Sequence, residues 1–172
     1  MLNSLELINL IKKENQRIEI HKHDALFTVE DSKNLRGKIQ GAHSKNLFLK
    51  NKKNEFFLLS CEEAHKIDLK KISKSLGLGN VSFAKEEYLA HYLGIKPGSV
   101  SPFALLNDGE NKVEFYLERC LYESKYVNFH PLINTLTITI ETERFVNFMI
   151  ENKKKIHIFC SVQGKILKTY GQ

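Results

Sequence analysis

The stretch NLFLKNKKNEFFLLSC, residues 46–61, sets two apolar runs on either side of a polar Lys-Asn-Lys-Lys-Asn turn. Two strand-like runs joined by a short polar loop predict an antiparallel hairpin, and a hairpin commits the chain to a sheet. The segments around it decide which kind of sheet. RIEIH alternates Ile18 and Ile20 with polar residues, and TLTITIE is a β-branched run; both predict strands. VSFA, SPFALL, KVEFYLE and KIHIFC predict further strands, with the turn NDGEN joining SPFALL to KVEFYLE.

Helical periodicity interrupts them. Residues 3–14 carry Leu5, Ile8 and Ile11 at helical spacing behind a capping Asn3 or Ser4. TVED is a capping-box pattern that predicts a short helix from Thr28 to near Gly37. DLKKISKSLG has an Asp68 cap, an apolar face of Leu69, Ile72 and Leu76, and Gly77 as its stop. KEEYLAHYLG predicts a short helix ended by Gly94, and ERFVNFMIENK an amphipathic one. Strands and helices alternate irregularly with hairpins among them. The expected class is therefore α/β of the mixed α+β kind, a mixed and mostly antiparallel sheet with helices packed around it.

The 172 residues contain no repeat, low-complexity tract or Pro/Ser-rich linker, so one domain over 1–172 is expected. No apolar run approaches the ~20 residues of a membrane span and the N-terminus lacks a signal pattern, which makes the cytoplasm the expected compartment. Cys61, Cys120 and Cys160 form no CxxC pair, arguing against a disulfide scaffold and a structural zinc site. All three fall in apolar strand-like runs and are expected to act as small hydrophobes. Cys61 and His65 are four apart, but a strand end followed by a loop does not give the helical geometry of a catalytic dyad. His21 and His23 share a face of a strand without a third ligand at useful spacing, so no metal and no cofactor is expected.

The net charge of +6 favours a polyanionic partner. Lysines cluster at 50/52/53, 70/71/74 and 153–155. No P-loop, dinucleotide fingerprint, nucleophile elbow or HExxH motif occurs, and the strand aromatics lack an RNA-recognition pattern and are expected to fill the core.

Four stretches exceed what a structural role requires. HDALFTVED sets polar residues around an aromatic. GAHSKNLFLK places a cation and an amide side chain, Lys45 and Asn46, at the mouth of an apolar strand. KPGSVSPF is a Pro-Gly-Ser turn of the kind that presents backbone N–H groups to a carbonyl or an anion. NFHPLINT holds His130 directly before a proline, which restricts it to extended backbone.

In this order and spacing, these four blocks resemble the YbaK/prolyl-tRNA-synthetase-associated domain family, in particular its free-standing prolyl-tRNA editing branch (ProXp-ala, PrdX). The likeness rests on His23 with FTVE at 27–30, GAHSKNLFL at 41–49, KPGSVSPF at 96–103 and FHPLINT at 129–135; Ala25 departs from the proline frequent there. The resemblance implies the YbaK fold and hydrolysis of an amino acid wrongly esterified to tRNA(Pro), with alanine favoured by the FHPLINT block. It implies Lys45 as the catalytic residue and Phe27, Thr28, Asn46, Gly98, Ser99 and His130 as substrate-binding residues. The partners implied are the mischarged tRNA(Pro) acceptor end and prolyl-tRNA synthetase, with no membrane. The alternatives are a Cys-tRNA(Pro) deacylase, a non-catalytic module gripping a tRNA 3′ end, and a basic α/β domain of unrelated function.

Overall fold

A computed structural model describes residues 1–14, 17–25 and 38–171. The helix expected from Thr28, and with it Phe27 and Thr28, lies outside the described residues.

Among the described residues, nine strands form one sheet: β1 (Ile18–Lys22), β2 (Ala42–Asn51), β3 (Phe56–Glu62), β4 (Val81–Phe83), β5 (Val113–Glu118), β6 (Tyr126–Phe129), β7 (Leu136–Glu141), β8 (Ile156–Cys160) and β9 (Lys165–Tyr170). Their order is β1-β7-β6-β2-β3-β5-β8-β9, with β4 beside β2. The pairs β1·β7, β6·β7, β2·β3, β2·β4 and β8·β9 are antiparallel, and β2·β6, β3·β5 and β5·β8 are parallel. The sheet is thus mixed and mostly antiparallel, as expected. The hairpin is its middle: Lys45 faces Cys61 and Leu49 faces Phe57 across β2·β3.

The helices follow their caps. In α1 (Ser4–Lys13) the Asn3 side chain and Glu6 form a reciprocal capping box. In α2 (Leu69–Ser75) Asp68 Oδ1 accepts from the Lys71 amide, and Gly77 ends the helix at φ 74°. The third, α3 (Glu86–Tyr88), continues as a π turn over Leu89–Leu93 and stops at Gly94. A five-residue α4 (Arg119–Glu123) follows β5, and α5 (Thr142–Glu151) follows β7.

One expected strand is not a strand. SPFALL forms the 3₁₀ helix Pro102–Asn107, with Ser101 Oγ accepting from the Phe103 amide and Pro102 in the first helical turn. A hydroxyl cap followed by proline starts a helix, and that local chemistry outweighs the apolar run.

The larger core covers one face of the sheet. Phe48, Leu58, Phe115 and Phe129 of the strands meet Phe103 of the 3₁₀ helix and Phe145 of α5. Phe103 packs edge-on against both Phe129 and Phe145, with centroids 6.0 and 5.5 Å away. Fully burying each such ring contributes about 1.5–3 kcal/mol. On the opposite face a smaller cluster of Leu49, Phe57, Leu59, Cys61, Tyr116 and Phe159 is covered by Ile72 of α2. No helix among the described residues is long and apolar enough to cross a membrane.

Candidate functional site

The two faces of the sheet are not equally apolar. Strand side chains alternate between faces. With Ile138, Ile140, Val127 and Phe129 in the larger core, Thr137, Thr139, Asn128 and His130 fall on the other face. The smaller apolar cluster on that face reaches only as far as β2 and β3. Beyond it, over β6, β7 and β1, the face is polar, and Lys45 sits on β2 at the border between the two regions.

Buried polar groups there are tied to one another. Asn128 donates to Gln40 O and Ala42 O, and its Oδ1 accepts from Thr139 Oγ1 at 2.6 Å. His21 Nε2 lies 3.0 Å from Thr139 Oγ1, and His23 Nε2 lies 2.8 Å from Thr137 Oγ1. The two histidines thus share a face as expected, held on the threonine ladder of β7 instead of standing free in solvent. The His23 ring is 5.9 Å from that of His130.

His130 is the most constrained of the expected site residues. Its Nδ1 proton donates to Leu136 O at 2.8 Å, which leaves Nε2 as the acceptor nitrogen of a neutral ring. Burial lowers its pKa from the usual histidine value; the Leu136 carbonyl opposes that shift, His23 adds to it and the Glu63 carboxylate again opposes it. A buried Glu63 beside His130 was not visible in the sequence, because the pairing that brings β3 near β6 runs through β2.

Lys45 is half-buried, and its ammonium donates to His65 O. That carbonyl belongs to the 62–65 turn after β3, which Glu118 fastens: the Glu62 amide donates to Glu118 Oε2 at 2.8 Å. Burial raises the Glu118 pKa, but hydrogen bonds from Ser161, the Glu62 amide and His65 outweigh it and hold the carboxyl below its usual value. Neither Glu118 nor His65 was singled out from sequence as a site residue. Their contact spans 53 positions and exists only because β3 and β5 pair in parallel.

The remaining candidates lie elsewhere. Asn46 points to the opposite face from Lys45: Ser60 Oγ donates to its Oδ1 at 2.5 Å, and its Nδ2 donates to Ser44 Oγ at 3.3 Å. Gly98 adopts φ 84° in a turn closed by the Ser99 amide donating to Lys96 O at 3.2 Å. The Ser99 amide is thus engaged within the turn. Ile95 and Val100 flank the turn and pack on the larger core. The described hydrogen bonds do not connect Gly98 or Ser99 with Lys45 or His130.

Burial keeps the Cys61 and Cys120 thiols protonated in the metal-free protein. Cys61 is fully buried and its pKa is raised by burial, then by Glu118. Cys120 is half-buried in α4, not in a strand as expected, and burial with Glu118 pushes it up to about 12. His65 turns its Nδ1 to Glu118 and Cys120, away from a dyad with Cys61.

The lysine clusters differ in kind. Lys52 and Lys53 in the hairpin turn and Lys70, Lys71 and Lys74 of α2 are exposed. Lys50 lies 4.9 Å from the centre of the Tyr88 ring. Lys154 is buried and donates to Asp108 O and Asn111 Oδ1, both at 2.7 Å, so it braces the 108–111 turn and is no solvated cation.

Comparison with known proteins adds the context for this geometry. The aminoacyl-tRNA editing domain family matches residues 23–148. The prolyl-tRNA synthetase associated domain-containing protein 1 of Bos taurus is 36% identical over 138 residues, 77% of this chain and 80% of that one. The prolyl-tRNA editing protein ProX of Acetoanaerobium sticklandii is 33% identical over 123 residues, 71% of this chain and 75% of that one. A crystal structure of a candidate trans-editing enzyme for prolyl-tRNA synthetase shares the fold at a TM-score of 0.65 and 15% identity, covering 91% of this chain and 96% of that one. The match spans all four sequence blocks, from His23 to the strand and helix after His130, and the chain belongs to the aminoacyl-tRNA editing domain family.

Proposed function

We propose that the protein is a trans-editing deacylase that hydrolyses the ester linking a wrong amino acid, alanine foremost, to tRNA(Pro). Family membership and the relatives named for prolyl-tRNA editing support the substrate class. The observation that carries the chemistry is the polar half-face of the sheet, with the Lys45 ammonium at its border and the neutral, anchored His130 ring on it.

An aminoacyl ester is already activated, so positioning a water and stabilising the developing oxyanion suffice. In this reading Lys45 holds the ester region or the terminal adenosine by its positive charge. His130 presents Nε2 as a fixed acceptor at the wall of the pocket, and the Gly98 amide is the backbone donor near the scissile carbonyl. Phe27, Thr28 and Ser99 complete the binding residues on that side, and Asn46, on the opposite face from Lys45, acts through β2, which it ties to Ser60 of β3. Selectivity comes from size: a methyl side chain enters and the proline ring is excluded, the logic of a second sieve. The partners are the acceptor end of mischarged tRNA(Pro) and prolyl-tRNA synthetase, and the compartment is the cytoplasm.

The test presents Ala-, Cys- and Pro-tRNA(Pro) separately to the purified protein and follows loss of the aminoacyl label. Fast release from Ala-tRNA(Pro) with Pro-tRNA(Pro) spared is expected. Preference for Cys-tRNA(Pro) moves the assignment to cysteine editing, and binding without hydrolysis of any of the three leaves a 3′-end binding module.

A further inference from the structure

Beyond the proposed deacylase chemistry, the structure carries a group of side chains that it does not use. His65 Nδ1, Glu118 Oε1 and Cys120 Sγ converge at the carboxyl ends of β3 and β5, all three atoms within 4.8 Å of one another. His65 Nδ1 is 3.2 Å from Glu118 Oε1 and 3.7 Å from Cys120 Sγ.

Both the thiol and the carboxylate approach the same ring nitrogen. A nucleophile–base–acid relay needs them on different nitrogens, since the base must take a proton at one and be oriented through the other. Convergence on one point is instead the arrangement of ligands around an ion. Tetrahedral zinc with bonds of about 2.0–2.1 Å to nitrogen and oxygen and about 2.3 Å to sulfur sets neighbouring N and O atoms roughly 3.3 Å apart and N and S atoms roughly 3.6 Å apart. The spacings to His65 Nδ1 match both.

The surroundings fit as well. Metal-binding histidines commonly aim their second ring nitrogen at a carboxylate, and His65 Nε2 lies 3.9 Å from Glu62 Oε2. Glu118 is 1% exposed, and its oxygens are oriented by the Ser161 hydroxyl and the Glu62 amide. A cavity of about 350 Å³ bordered by His65, Asp68, Lys71 and Ser161 adjoins the group and offers room for a fourth, exchangeable ligand. A doubly charged ion with one thiolate, one carboxylate and a neutral imidazole has no net charge, so the nearby Lys45 ammonium does not oppose it.

We propose that His65, Glu118 and Cys120 form a binding site for a single borderline divalent cation of the zinc type, distinct from the residues placed on substrate. Mixed N, O and S donors select this class over magnesium or calcium, which take oxygen ligands. On binding, the Cys120 thiol proton is released to solvent. The His65 ring changes tautomer as the ion enters: its proton, donated from Nδ1 to Glu118 in the metal-free protein, moves to Nε2 on the side of Glu62, and the freed Nδ1 lone pair binds the ion.

The experiment titrates the chelator-stripped full-length protein with cobalt(II) and follows its absorption spectrum. One equivalent is expected to give the thiolate-to-cobalt charge-transfer band and the intense visible bands of tetrahedral cobalt, both bleached by one equivalent of zinc(II). Cys120→Ser is expected to lose the charge-transfer band, whereas Cys61→Ser and Cys160→Ser keep it. Glu62→Gln is expected to weaken zinc about 10–100-fold, the range for an outer-shell partner. Absence of the band in the wild-type protein overturns the proposal, as does its persistence in Cys120→Ser. Should circular dichroism show Cys120→Ser unfolded, His65→Ala, at an exposed position, decides: loss of at least tenfold in cobalt affinity supports the site, and unchanged affinity overturns it.

Discussion

His130 shows how one side chain can be fixed twice over. Pro131 restricts its backbone and Leu136 O fixes its ring, so the imidazole is a wall and not a swinging arm. A wall sets what fits: differences of a methylene are worth about 1–3 kcal/mol, a factor of roughly 10–200 in rate. His130→Ala is therefore expected to raise the relative rate on a bulkier aminoacyl-tRNA within that range, or to lower the rate on Ala-tRNA(Pro) through loss of the Nε2 acceptor. Parallel rate measurements on the two esters check this; no change in either means that the ring is structural. His130 was legible as a candidate because a His-Pro pair sits in a recognisable block. Its neighbour Glu63 was not, because nothing local in Cys-Glu-Glu-Ala marks which carboxylate turns inward.

Among the elements, the hairpin and the two ten-residue helices were legible, since their apolar periodicity is long and their turn and cap residues agree with it. The elements missed were α4, β6 and β9. The first has only five residues, and β9 is exposed along nearly its whole length, so burial imposes no alternation on its sequence. Lys45 owes its position to β2, and β2 owes its place to Gly41. This glycine has φ 89°, and a Cβ there would lie 2.6 Å from Tyr126 O at the start of β6. Only a residue without a side chain permits the close approach that lets β2 run parallel to β6. Gly41→Ala is expected to cost about 1–3 kcal/mol from backbone strain, with further loss from the clash. Thermal unfolding reads this directly; a melting temperature equal to that of the wild type contradicts the role given to Gly41.

For the molecule as a whole, one sheet carries every described strand, and we propose that residues 1–172 unfold in one cooperative transition. Its stability should depend on pH through two half-buried histidines. His130 and His157 both have pKa values lowered first by burial. In the unfolded chain each titrates near 6.5, so below that pH the unfolded state binds more protons and stability falls. Denaturant midpoints are expected to be flat above about pH 7 and to drop as pH falls through about 6.5, with a smaller drop in His130→Ala. A midpoint independent of pH between 7 and 5 contradicts half-buried, neutral histidines. The polar half-face itself emerges only at this scale, because it is assembled from β1, β2, β6 and β7 across more than half of the chain.

In the proposed reaction the cation at the mouth of the hairpin, Lys45, acts on an aminoacyl ester. The measurement is the single-turnover rate of Ala-tRNA(Pro) deacylation by the wild-type protein and by Lys45→Ala, each with its melting temperature. Removing one preorganised group that stabilises an oxyanion costs a factor of about 10²–10³. A loss of that size at an unchanged melting temperature is the predicted result; a Lys45→Ala protein that deacylates at the wild-type rate contradicts a catalytic role for Lys45.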